Sequence, residues 1–128
     1  MTGVQTCALP IYLAAVGLLD DSLAEIRKAH QLDPFEVNID DWLGTILYDA
    51  GRYDEAIAQR QKTAELYPHT APVQLDEIST ILGKQGKLNA AVESQSKSQT
   101  LSGDPKFAES LRQAYASSGY NEIGRAHV

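Results

Sequence analysis

Four glycines limit what this chain can fold into. Gly17, Gly51, Gly86 and Gly119 are separated by 34, 35 and 33 residues, and Pro34 to Pro68 repeats the interval of 34. Two places after the first three glycines stand Leu19, Tyr53 and Leu88, followed at matching places by Ser22-Leu23, Ala56-Ile57 and Ala91-Val92. A small residue beside a large one, at a fixed distance from a glycine able to close a helix C-terminus, is the pattern of paired helices that cross closely. A period of this length means that each unit is a supersecondary element that buries its apolar face only by stacking on its neighbours.

The clearest unit runs from Asp40 to Pro68, DDWLGTILYDAGRYDEAIAQRQKTAELYP. Leu43-Gly44 sets a large residue beside a small one, so that a neighbouring helix approaches at the glycine. Gly51 breaks the first helix, and Asp54 and Glu55 open the second where the helix dipole favours carboxylates. Pro68, without an amide hydrogen, stops it. These residues resemble the tetratricopeptide repeat: Leu43, Gly44, Ala56 and Pro68 match its pattern, and GRYDEAI from Gly51 to Ile57 looks like its most recognisable segment. Asp40 stands in the tryptophan slot, Leu47 in the tyrosine slot and Arg60 in the phenylalanine slot. Leu47 is an apolar exchange; Asp40 and Arg60 imply a looser core or a locally exposed surface.

The resemblance implies an all-α fold, an α-α superhelix or solenoid of antiparallel helix pairs with about three repeats, truncated at both ends. The repeats are expected at 12–34, 35–69, 70–103 and, in part, 104–122. Helices are predicted over about 20–32, 37–49, 53–66, 71–84 and 88–101, with Tyr12 to Ala15 as the tail of an earlier one. Leu75, Ile78 and Leu82 share one face of the helix over 71–84. The helix over 88–101 is expected to be weak, because Glu93 to Thr100 is polar throughout and serine favours caps and turns. Asp104 is predicted to cap a last helix that begins at Pro105, with Phe107, Leu111 and Tyr115 stepping by four.

Two terminal stretches fall outside the period. Residues 1–11, MTGVQTCALPI, resemble one reading frame of a sequencing-library adapter, and Ile123 to Val128, IGRAHV, resembles the complementary strand, which continues into a stop triplet. Both are read as adapter-like and set apart from the fold, which leaves Tyr12 to about Glu122 as an internal fragment. Cys7 and His127 lie in these stretches. Without Arg125 the remainder holds 10 basic against 17 acidic residues, about −7 instead of −6.

An acidic balance argues against nucleic acid, which asks for a basic face, and against anionic membrane surfaces. No apolar run approaches the roughly 20 residues of a membrane span. His30 and His69 have no histidine or cysteine at ligand spacing, so neither a metal nor any other cofactor is expected. Asp20-Asp21 and Asp40-Asp41 are neighbours pointing about 100° apart on a helix, and are read as solvated. No phosphate loop or nucleophile motif occurs, and the chain is not expected to be an enzyme.

In tetratricopeptide arrays the first helix of each pair lines a concave groove. The resemblance puts Asp41, Asp76 and Glu109 in one groove-facing slot, with Thr45, Thr80 and Gln113 one turn farther on and Tyr48 beside them. The family's chaperone-tail clamp uses cationic residues and asparagines there to hold a terminal carboxylate; here the charge is opposite. The implied function is a protein-interaction scaffold for a peptide or partner protein; the three carboxylates read either as a site for a basic peptide or as the solvated surface of an acidic protein, and self-association through exposed repeat ends is a second expectation. The phrasing LDP, GRYDEAI and SGDP also resembles tetratricopeptide tails of large bacterial regulators, cyclases and kinases. The alternative is therefore a regulatory segment of a multidomain signalling protein whose activity lies upstream. Compartment stays open between cytoplasm and periplasm.

Overall fold

A computed structural model describes the backbone of residues 3–118 and the side chains of residues 9–117; Gly119 and the adapter-like C-terminal stretch lie outside the described residues. Among the described residues the secondary structure is helical: α1 Gly3–Ala15, α2 Leu19–Leu32, α3 Val37–Asp49, α4 Tyr53–Leu66, α5 Ala71–Lys84, α6 Leu88–Leu101 and α7 Pro105–Ser118, with one 3-10 turn at Pro68–Thr70. The chain divides after Tyr67 into two compact units, the first built of α1 to α4 and the second of α5 to α7.

The predicted punctuation is what separates these helices. Gly17, Gly51 and Gly86 have φ of 84°, 75° and 75°. At each of them the next residue's amide reaches back five residues: Leu18 to the Leu13 carbonyl at 2.8 Å, Arg52 to Leu47 at 2.9 Å and Lys87 to Leu82 at 2.9 Å. This is the Schellman closure, in which a left-handed residue lets the chain satisfy helix-end carbonyls. Nothing lies within 4 Å of where a Gly51 Cβ would sit, so the backbone dihedral, not space, requires glycine there. Asp104 caps α7 by accepting the Phe107 amide at 3.0 Å, and α7 begins at Pro105 as predicted. Glu36 caps α3 by accepting the Asn38 amide at 3.2 Å.

In the first unit, α2 packs on α1 and α3, and α4 packs on α3. Ile26, Ile39 and Ile46 are fully buried, and Leu23, Leu43 and Leu47 nearly so. Ser22 and Ala56, the small residues of the repeat register, are completely covered, which lets the paired helices approach. In the second unit α6 packs on both α5 and α7, with Ile78, Ile81, Val92 and Leu111 in the core. Phe107 and Tyr115 lie against Val92 and Leu111, as their spacing predicted.

Three expectations need correction or refinement. First, the 11/12 boundary falls inside α1, because the adapter-like stretch supplies the helix from Gly3 onward. Pro10 is buried within it, and its carbonyl accepts the Ser22 hydroxyl at 2.7 Å. Second, α6 is a full helix of 14 residues despite its serines. Ser94, Ser96 and Ser98 are buried, and their hydroxyls donate to the carbonyls of Leu75 at 2.7 Å, Ala108 at 3.4 Å and Pro72 at 2.8 Å. Serine is small enough for close helix contact, and its polar atom is satisfied by a neighbouring backbone instead of its own. Third, Asp40 and Arg60 are not exposed; both are enclosed within the first unit.

Candidate functional site

Asp40 and Arg60, the two polar departures from the repeat pattern, each sit in a polar cluster of the first unit. Asp40, near the start of α3, is 1% exposed. Its Oδ1 lies 3.3 Å from His30 Nε2 on α2 and 3.5 Å from Gln59 Nε2 on α4. Gln59 also donates to Thr63 Oγ1 at 3.3 Å. Among the described residues Asp40 Oδ2 has no hydrogen-bond partner. Burial pushes the Asp40 carboxyl above the ordinary aspartate value, and Asp41 adds to the rise, while His30, Lys62 and the Gln59 hydrogen bond oppose it. Tyr67, which follows α4, is shifted upward by burial and by the charges of Asp40, Glu36 and Asp33.

One helical step away, Arg60 of α4 crosses over Gly44. A Cβ at Gly44 would meet Arg60 Nε at 2.7 Å, so the missing side chain is what admits the guanidinium. Arg60 Nη1 donates to Asp41 Oδ1 at 3.3 Å, and Nη2 donates to Thr45 Oγ1 at 2.9 Å. The pattern departures at 40 and 60 are thus compensated by His30 and Asp41, residues with no place in the family pattern. A polar residue in an apolar slot signals a search for a partner, and the partner's position in sequence is fixed only by helix packing.

The residues assigned to the groove slot are distributed over both units, and each unit stands by itself. In the first, the Asp41 side chain is 43% exposed and paired with Arg60. Thr45 donates to the Asp41 carbonyl at 3.2 Å, and Tyr48 packs against Tyr53 with ring centroids 5.6 Å apart. In the second, Asp76 and Thr80 are exposed on α5, with Thr80 donating to the Asp76 carbonyl at 3.2 Å. On α7, Gln113 donates to Glu109 Oε1 at 3.4 Å, and Glu109 lies 3.7 Å from Arg112. On α3 and α5 the threonine four places on bonds back to the backbone carbonyl of the aspartate, whereas on α7 the glutamine bonds the Glu109 carboxylate itself.

Two clefts accompany these helices, one in each unit. The first, of about 420 Å³, has Leu43 and Leu47 of α3 at its floor and Arg27 and His30 of α2 on one wall. Glu55, Ala58, Gln59 and Lys62 of α4 form the other wall. The second, of about 290 Å³, lies among Leu75, Lys97, Thr100, Leu101 and Arg112. Arg112 is already engaged by Glu93 at 3.4 Å. Neither cleft was legible in the sequence, since each is assembled from three helices. Among the described residues no group of three or more His, Cys, Asp or Glu side chains is placed to hold a metal ion, and no helix is long and apolar enough to cross a membrane.

The architecture and its turns define an all-α helical repeat of the tetratricopeptide-like kind. A solved structure titled "MamA MSR-1 C2" is similar to the chain with a TM-score of 0.60 and 15% sequence identity, over 100% of this chain and 80% of that one. That likeness is one of fold. No protein-family model matches the chain, and no curated protein matches it.

Proposed function

We propose that this chain is a protein-interaction module, with no chemistry of its own, whose units each bind a lysine- or arginine-bearing segment of a partner through their own first-helix carboxylates, Asp41 in the first and Asp76 with Glu109 in the second. The observation that supports this reading is the repeated acidic slot. Asp41, Asp76 and Glu109 each keep solvent access, Asp41 beside Arg60 and Glu109 beside Arg112, and each has a threonine or glutamine one turn on. Stacked helix pairs present extended binding surfaces, and their first helices are the natural recognition elements.

The test is fluorescence anisotropy with a lysine-rich peptide and an acidic peptide of equal length. The parent should prefer the basic peptide, and salt should weaken the preference because exposed charges are screened over about 8–10 Å near physiological ionic strength. Asp41→Asn, Asp76→Asn and Glu109→Gln together should abolish the preference while the helices melt as in the parent. Asp21→Asn, Asp49→Asn and Glu65→Gln, outside the slot, provide an equal change in net charge. Equal loss in both triple variants would assign the effect to net charge and overturn the reading.

A further inference from the structure

We infer that the cleft between α2 and α4 is a second docking site, of opposite charge preference, which receives a short acidic amphipathic segment of a partner protein. The chain carries 17 acidic residues against 11 lysines and arginines, yet this cleft reverses the sign. Arg27 of α2 and Lys62 of α4 both line it, together with His30. Its one carboxylate, Glu55, is committed to Arg52, whose Nη2 donates to it at 2.8 Å. Among the described residues Arg27 and Lys62 make no ion pair in direct contact; their charges act at longer range on Glu55 and Asp40, and their exposed ends remain open to a ligand. His30 is anchored from behind by the buried Asp40 carboxylate at 3.3 Å, which fixes its ring at the cleft edge.

The shape selects among anions. At about 420 Å³ the cleft exceeds the need of a single ion, and its floor is Leu43 and Leu47. An apolar floor between cationic walls fits an aliphatic side chain flanked by carboxylates, the arrangement of an amphipathic segment laid into a groove. Arg27 and His30 are three residues apart on α2, and Gln59 and Lys62 three apart on α4, so each wall presents a stripe about one helical turn long. In the cleft of the second unit Arg112 is held by Glu93 and Glu109, which leaves Lys97 as its single cation outside an ion pair among the described residues.

The experiment uses the full chain and a fluorescent peptide of about a dozen residues, with leucines at helical spacing and glutamates beside them. Arg27→Glu with Lys62→Glu should weaken binding on the order of tenfold or more, as expected when two exposed charge contacts become repulsive. Lys84→Glu with Lys87→Glu, in the second unit, makes the same change in net charge and should leave affinity within about twofold. Ala58→Trp should block the cleft without altering charge. Circular dichroism melts confirm that each variant remains folded. Equal weakening by both lysine- and arginine-reversed pairs overturns the proposal, and so does undiminished binding in Ala58→Trp. If a peptide with serines replacing the leucines binds equally well, the site is a bare anion site and the docking assignment fails. Because none of these variants touches the acidic slot, failure here leaves the basic-peptide reading to its own test.

Discussion

His30 Nε2 lies 3.3 Å from Asp40 Oδ1, so a half-buried imidazole on α2 meets a carboxylate that α3 buries almost completely. Asp40 takes the place where the repeat pattern has its tryptophan. The contact compensates only part of the cost, since one carboxylate oxygen remains without a hydrogen-bond partner among the described residues. A buried ion pair stabilises little when desolvation of the charges offsets their attraction.

This arrangement predicts a pH signature. Burial raises the Asp40 carboxyl above its ordinary 3.8 against the opposing charge of His30. The folded state therefore holds the proton more tightly than the unfolded chain, and the associated stability, full below 3.8, is lost as pH rises through the folded value. Asp40→Asn, which cannot ionise, should gain stability relative to the parent as pH rises across that window. Urea unfolding from about pH 3 to about pH 7 reads the difference, and a flat difference would exclude a raised Asp40.

Gly44 and Arg60 are predicted to be coupled. Gly44→Ala places a Cβ 2.7 Å from Arg60 Nε, so the guanidinium end must shift away from Asp41 and Thr45, a loss set against the ~1 kcal/mol of helix propensity that alanine gains over glycine. In an Arg60→Ala background the same substitution should cost less, with a coupling of at least about 0.5 kcal/mol in a double-mutant cycle. Gly51→Ala should cost about 1–2 kcal/mol through its φ of 75° alone and add independently of Arg60. Additive Gly44 and Arg60 variants would show that the guanidinium does not occupy the glycine gap.

The N-terminal stretch gives the third prediction. By period it stands apart, and its deletion would then be neutral; in the structure Pro10 is buried and its carbonyl bonds Ser22. Deleting residues 1–11 should therefore cost more than roughly 2 kcal/mol, comparable to truncating a core side chain, with the loss confined to the first unit. Unfolding curves of the truncated and full chains decide it: coincident curves would return α1 to a passenger role.

The sequence by itself determined the periodicity, the glycine closures and nearly every helix boundary. These depend on local chemistry: glycine permits a positive φ, proline removes a donor, and apolar residues at helical spacing define a face. The bounds 37–49, 53–66, 71–84 and 88–101 are all met. Tertiary structure decided the fate of the polar exceptions. Asp40 and Arg60 read as a looser core or a locally exposed surface because their partners stand 10 and 19 residues away in sequence, and the serines of α6 read as helix-weakening because the carbonyls that satisfy them belong to α5 and α7. The cationic cleft is likewise a product of packing, since Arg27, Lys62 and Leu47 share no local pattern. A buried polar group is tolerated according to what surrounds it, and those surroundings exist only once the helices have stacked.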